Sequence, residues 1–202
     1  MARPAQTVRS ERTREALRTA ALVRFLAQGV DETSAEQIAA DAGVSLRTFY
    51  RHFASKHDLL FADYDASLQW FQTALEARPA GESVIASVQA AIFEFPYDVD
   101  AVTKIAVLRA NELEPDRIVR HIRQVEAEFA EAVEARLVRT HGASLTGTPD
   151  DRLQLTVAAR CIAAAVFGAM EFWMLGHDRS LDELARLCST GLATLESGVL
   201  TA

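Results

Sequence analysis

The segment that most constrains the fold runs from Ser34 to Leu60, SAEQIAADAGVSLRTFYRHFASKHDLL. Ser34 followed three residues later by Gln37 makes a capping box, which predicts a helix starting at Ala35. Ile38, Ala39 and Ala42 give that helix a small apolar face, and Gly43 stops it, since glycine tolerates the left-handed conformation that closes a helix. Val44 plugs the turn and Ser45 caps a second helix. There Phe49 and Phe53, four residues apart, share one inward face, leaving Arg47, Thr48, Tyr50, Arg51 and His52 for the outside. Ser55 then caps a third helix with Lys56 in its first turn, a favourable place for a phosphate. Two short helices about a tight glycine turn, the second lined with hydroxyl, basic and aromatic groups, have the layout of a helix-turn-helix that reads DNA. The same geometry also serves as a purely structural motif, so the argument for DNA rests on the donors gathered on one face.

Residues 13–60 resemble the N-terminal domain of the tetracycline-repressor (TetR) family of transcription regulators. The resemblance is carried by Thr13-Arg14, Ala20-Ala21-Leu22, Phe25, Gly29, Thr33-Ser34, Ile38-Ala39, Ala42-Gly43-Val44-Ser45, Thr48-Phe49-Tyr50, His52-Phe53 and Ser55-Lys56 in one ungapped run. It implies an all-helical subunit of two domains, a homodimer, a palindromic operator of double-stranded DNA and a small-molecule inducer. Arg47 stands where the family often has glycine, which suggests an added base contact, and Leu46 beside it can touch a thymine methyl. Glu36 lies early in the first motif helix, and Arg18 and Arg24 replace apolar residues usual in the helix before it. The DNA-binding set expected on this reading is Ser34, Ser45, Leu46, Arg47, Thr48, Tyr50, His52 and Lys56, with Arg9, Arg12 and Arg14 adding sequence-independent attraction.

A net charge of −7 looks wrong for a DNA binder until it is mapped along the chain. Residues 1–60 hold nine Lys/Arg against seven Asp/Glu, whereas residues 61–202 hold twelve against twenty-one. A basic head on an acidic body suits DNA contact at one end only.

Periodicity predicts helices over about 10–28, 35–42, 46–52, 56–76, 83–95, 101–111, 116–140, 151–175 and 180–197, with 142–151 the most loop-like stretch. No strand pattern is present, so the fold class is all-α: a three-helix helix-turn-helix domain followed by a helical bundle for ligand binding and dimerisation. Arg78-Pro79-Ala80-Gly81 is the clearest break. The expected division is an arm and helix-turn-helix over 1–55, a connecting helix over 56–80 and a ligand-binding and dimerisation domain over 81–202.

The last two helices differ in kind. The first is dense in small residues, among them Ala164 and Gly168, and the second carries Leu184, Cys188 and Leu195 at nearly heptad spacing. Such faces pack either within one bundle or against a second copy, and with the resemblance they become the expected dimer interface: Ala164, Gly168, Leu184, Cys188 and Leu195. A largely apolar ligand site is expected where aromatic and long side chains recur: Trp70, Phe93, Phe95, Phe129, Phe167, Met170 and Trp173, with Arg109, Glu112 and Glu171 as polar contributors. Glu171, flanked by apolar residues, reads as a buried carboxylate in need of a cationic partner.

No phosphate-binding loop, dinucleotide fingerprint, zinc spacing or nucleophile elbow occurs, so neither an enzyme nor a cofactor or metal site is expected. Cys161 and Cys188 each read as core residues. The N-terminus lacks a secretory pattern and no apolar run is expected to reach membrane-spanning length, which points to the cytoplasm. The rival expectation is a helical interaction module whose helix-turn-helix is structural.

Overall fold

A computed structural model describes residues 4–94, 99–141, 147–178 and 180–197. Nine α-helices and one 3-10 helix, and no strand, occur among them. The helices are α1 (Pro4–Gln28), α2 (Ala35–Asp41), α3 (Leu46–His52), α4 (Ala62–Ala77), α5 (Val84–Phe93), α6 (Val99–Glu112), α7 (Pro115–His141), α8 (Pro149–Leu175) and α9 (Leu181–Ser197), with the 3-10 helix at Lys56–Phe61. The expected loop starts at 142, but residues 142–146 lie outside the described residues, and α8 begins at Pro149, capped by Thr148. Phe95 and Tyr97 lie outside them as well.

The chain forms two compact units. The first holds Met1–Asp63 and Asp100–Val119; the second holds Tyr64–Val99 and Arg120–Ala202. In the first, Leu17, Ala21 and Phe25 of α1, Val30, Ile38 of α2, Phe49 of α3 and Leu59 and Leu60 of the 3-10 helix are all buried. Gly29 and Gly43 carry positive φ (84° and 67°), so each ends its helix in the backbone region closed to most side chains.

Polar groups close this unit at points the hydrophobic pattern does not reveal. Arg24 of α1 reaches Asp41 of α2 with Nε–Oδ2 2.5 Å and Nη2–Oδ1 2.9 Å. The pair accounts for Arg24 in the apolar second half of α1, and it holds the Asp41 carboxyl below its usual range. Arg18 pairs with Glu15 at 3.0 Å. Arg109 of α6, expected as a ligand group, is instead buried in this first unit. Its Nε donates to the Leu60 carbonyl (2.7 Å) and its Nη2 to both Asp63 oxygens (2.6 and 2.7 Å). Arg117 donates to Asp58 at 2.8 Å, and both guanidinium groups lie near the Phe61 ring, 5.5 Å and 5.9 Å from its centroid. The 3-10 helix is thereby held at each end.

The second unit is built on one apolar cluster drawn from α4, α5, α7, α8 and α9, with Val88, Val133 and Leu192 fully enclosed. Phe129, expected to line a ligand site, stacks on Phe71 at 3.9 Å and meets Phe167 edge-on at 5.7 Å. It is core. Arg136 of α7 is buried and donates to the carbonyls of Arg78 and Pro79 and to Ser87 Oγ, pinning the α4–α5 turn. The same turn is braced by Glu82, which accepts from Arg78 and from Ser87 Oγ. Gly191 lets α9 close onto α8, because a Cβ there would stand 3.1 Å from the Ala165 carbonyl oxygen.

Candidate nucleic-acid interface

The turn between α2 and α3 is fixed by local bonds. Gln37 N–H donates to Ser34 Oγ (3.2 Å) and Ser34 N–H donates to Gln37 Oε1 (2.9 Å), completing the capping box. Val44 N–H donates to the Ala39 carbonyl (2.9 Å) across Gly43. Ser45 Oγ accepts from Thr48 N–H (3.2 Å) and lies 3.0 Å from Thr48 Oγ1. The hydroxyls of Ser34, Ser45 and Thr48 are therefore tied into caps, and the Ser34 N–H is used inside its own box.

On α3, Phe49 points inward while Arg47, Tyr50 and Arg51 are exposed; Leu46 and Thr48 are half-buried. The Tyr50 ring packs edge-on against Phe49 with centroids 5.2 Å apart, which orients its hydroxyl without using it. Three long donors thus share one short helix with an anchored opposite face. Arg51 was not in the expected site set, although its exposure followed from the same period.

Two expected phosphate donors turn inward. Lys56 Nζ donates to the carbonyls of Val30 (2.7 Å) and Asp31 (3.0 Å), fastening the 3-10 helix to the loop after α1. His52 is half-buried with Nε2 enclosed and without a hydrogen-bond partner. Burial first, then the positive charges of Arg51 and Arg14, push its pKa down, so the ring is neutral at pH 7. Arg14 is half-buried with its guanidinium 5.3 Å from the Phe53 centroid, whereas Arg9 and Arg12 are exposed. A cavity of about 490 Å³ opens beside this face, lined by Asp31, Glu32, Ser34, Glu36, Tyr50 and His57 among others.

The expected ligand residues are divided between the two units. Arg109 and Glu112 belong to the first unit; Trp70, Phe93, Phe167, Met170, Glu171 and Trp173 belong to the second. Glu171 is exposed rather than buried, because it sits on the side of α8 turned away from the core. Trp173 is buried with Ala169, Leu184 and Cys188, and its Nε1 donates to the Ser180 carbonyl at 2.9 Å. Trp70 and Phe93 are exposed, and Phe167 and Met170 pack against the core. A groove of about 560 Å³ in this unit is lined by Gln72, Leu75, Glu76, Glu128, Glu131 and Arg139 among others, none of which was expected.

The expected dimer residues divide in the same way. Leu184 and Cys188 pack inside the protomer, where burial raises the Cys188 thiol to about 11, whereas Ala164 and Leu195 are exposed and Gly168 half-buried. Cys161, expected in the core, is exposed. α8 is also long and apolar enough to cross a membrane by length and composition alone, contrary to the expectation that no run reaches that length; core helices of soluble proteins pass the same measure.

Comparison with known proteins places this geometry. Residues 17–62 match the family model described as bacterial regulatory proteins, tetR family. The chain is 32% identical over 192 residues to the HTH-type transcriptional regulator TcmR of Streptomyces glaucescens, covering 91% of this chain and 83% of that one. Among solved structures, SmeT, the repressor of the Stenotrophomonas maltophilia multidrug efflux pump SmeDEF, aligns with a TM-score of 0.56 at 23% identity over 91% of this chain and 89% of its own. The Thermus thermophilus repressor FadR, in complex with lauroyl-CoA, aligns with a TM-score of 0.58 at 18% identity over 92% of this chain and 94% of its own. At those identities the two structures speak for the fold.

Proposed function

This chain belongs to the tetR family of bacterial regulatory proteins, a transcription regulator with a DNA-binding helix-turn-helix, and on that footing we propose that it is a ligand-released repressor that binds a palindromic operator as a homodimer. The observation that carries this reading is the outer face of α3, where Arg47, Tyr50 and Arg51 stand exposed over a buried Phe49. Inserted into the major groove, such a helix presents Arg47 to a base edge and Leu46 to a thymine methyl, while Tyr50 and Arg51 hold phosphates and Thr48 braces the Ser45 cap. Arg9 and Arg12 add attraction without sequence preference. His52 and Lys56 act as positioning residues, one filling space as a neutral ring and the other clamping the loop after α1. Ser34 and Ser45 set the two helices through their caps.

The second unit supplies ligand sensing and pairing. FadR holds lauroyl-CoA; for this chain the ligand is a largely apolar small molecule, a reading supported by the aromatic and long side chains of the second unit. Such a ligand acts by binding one state better than the other, lowering the population that fits DNA. The protein works in the cytoplasm, without catalysis.

Titration of the full chain against duplex DNA in a gel shift tests the reading. Affinity should fall linearly with the logarithm of salt concentration, as phosphate contacts require, and Tyr50→Ala should weaken binding by about tenfold or less, the size of one neutral hydrogen bond. No retention of duplex at low salt returns the chain to the interaction-module reading.

A further inference from the structure

Helices α4 and α7 run side by side in the second unit, in one register. Tyr64 of α4 meets His121 of α7 edge-on with ring centroids 6.1 Å apart, Phe71 stacks on Phe129, and Arg136 donates to the Arg78 carbonyl. Each of these levels joins residues 57 or 58 apart in sequence. The second level is an aromatic stack and the third a guanidinium on a carbonyl, and neither titrates near neutrality. The first holds a group that does. His121 Nε2 lies 3.6 Å from Asp65 Oδ1, and the two side chains keep only 21% and 32% of their exposure. That separation is within the reach of an ion pair and beyond that of a hydrogen bond, so the attraction depends on the charge of the ring. The place of the pair in the chain gives it leverage. The chain passes from the first unit to the second between Asp63 and Tyr64, and again between Val119 and Arg120. Asp65 and His121 are each the second residue after such a passage. The charged and titratable groups that α4 presents to the ring are Asp65 and Tyr64. On α7 itself, Arg117 one turn back is balanced by Asp58 at 2.8 Å, Arg120 and Arg123 are exposed, and the next turn forward brings the uncharged Gln124 and Val125.

We propose that His121 and Asp65 form a proton-operated fastening between α4 and α7, closed as an ion pair when the imidazole is charged and slack when it is neutral, and that operator affinity follows its state. The operator half of this inference rests on the DNA-reading function proposed above. Histidine is the side chain that changes charge between pH 5 and 8. Closed, the fastening holds the starts of α4 and α7 at one spacing, and with them the two segments of chain that lead to the first unit. Slack, it lets that spacing vary. DNA binding responds to the extent that the duplex prefers one of those states. The sign for stability follows from the partner. A ring that gains an anion in the fold contributes stability that is complete below its ordinary value of about 6.5, and the contribution is lost as pH rises past the value it has in the fold.

Histidine NMR on the full chain reads the contact without DNA. The His121 signal should titrate about one pH unit higher in the unaltered protein than in Asp65→Asn, as removal of a facing anion requires. An unchanged midpoint overturns the fastening. A cycle of the unaltered chain, Asp65→Asn, His121→Gln and the double variant then reads its effect. In thermal melts at about pH 5.5 each single change should lower Tm by about 2–4 °C and the double change by no more than either. At about pH 8.5 the coupling should vanish. Coupling of equal size at both pH values overturns its dependence on the proton. Gel shifts on a duplex selected by the unaltered protein give the operator half: between those pH values its affinity should change by about threefold more than that of any variant. Equal pH dependence in all four proteins overturns the regulatory role. Should His121→Gln fail to fold, the Asp65→Asn comparisons decide alone. A chain that retains no duplex at any pH overturns the operator half together with the DNA-reading function, while the titration and the melts still judge the fastening.

Discussion

Replacing Arg109 by Met should loosen the DNA-reading unit although the residue touches no DNA. Arg109 is 3% exposed and donates to the Leu60 carbonyl and to both oxygens of the Asp63 carboxylate. Methionine keeps much of the side-chain volume, so the loss isolates the charge and its bonds. Removing one member of a buried ion pair costs about 3–5 kcal/mol, mostly because the other charge stays out of water. The Asp63 side chain keeps 18% of its exposure, so solvent offsets part of this and the lower end, about 3 kcal/mol, applies. For a chain of this size that is a fall in Tm of roughly 6–12 °C, and a large share of ordinary stability. Thermal melting by circular dichroism measures it. Adding Asp63→Asn should recover a good part of the loss, since the buried charge then goes too. A loss under about 1 kcal/mol for Arg109→Met, or a double variant worse than the single by the full value of a second deletion, refutes the idea that this pair holds α6 to the 3-10 helix.

Two further perturbations test other parts of the account. Arg47→Ala should relax preference at one base position by about 1–3 kcal/mol while leaving its neighbours unchanged, read from affinities for single-base operator variants. Glu82, held by Arg78 first and then by Ser87, has its carboxyl lowered from 4.5 to about 2. A depressed carboxyl contributes stability that is complete above its unfolded value, so this contribution should fade as pH drops from about 4.5 to about 2. Chemical denaturation across that window should show a shallower loss in Glu82→Gln.

The helix-turn-helix was legible because its signals are local. Ser34 with Gln37, Gly43, and Ser45 each act within four residues, and both motif helices fall within a residue of their expected bounds. Helix α1 starts six residues earlier than expected, since its polar first turns carry no apolar stripe to read. The start of the next segment is a 3-10 helix rather than the first turns of one long α-helix, a distinction periodicity does not make over six residues.

What was not legible depends on partners far along the chain. Lys56 has the position of a phosphate ligand, but carbonyls 25 and 26 residues away accept its hydrogen bonds. Arg109 looked like a polar group of the ligand site because nothing nearby in sequence marks Asp63 as its partner. The placement of Glu171, Leu184 and Cys188 departs from expectation for one reason: periodicity finds the faces of a helix without saying which neighbour each meets. α8 is apolar on two faces, and only packing shows that Trp173 lies inside, against Leu184 and Cys188 of α9, while Glu171 lies out.

Selection of bound sequences from a random duplex pool by the full-length protein tests the central claim most directly. The enriched sequence should be an inverted repeat whose half-sites are centred roughly one helical turn, about 10 base pairs, apart. Arg47→Ala should blur one position in each half. A pool that returns no enriched sequence, or a single site without two-fold symmetry, would contradict a dimeric reader built on α3.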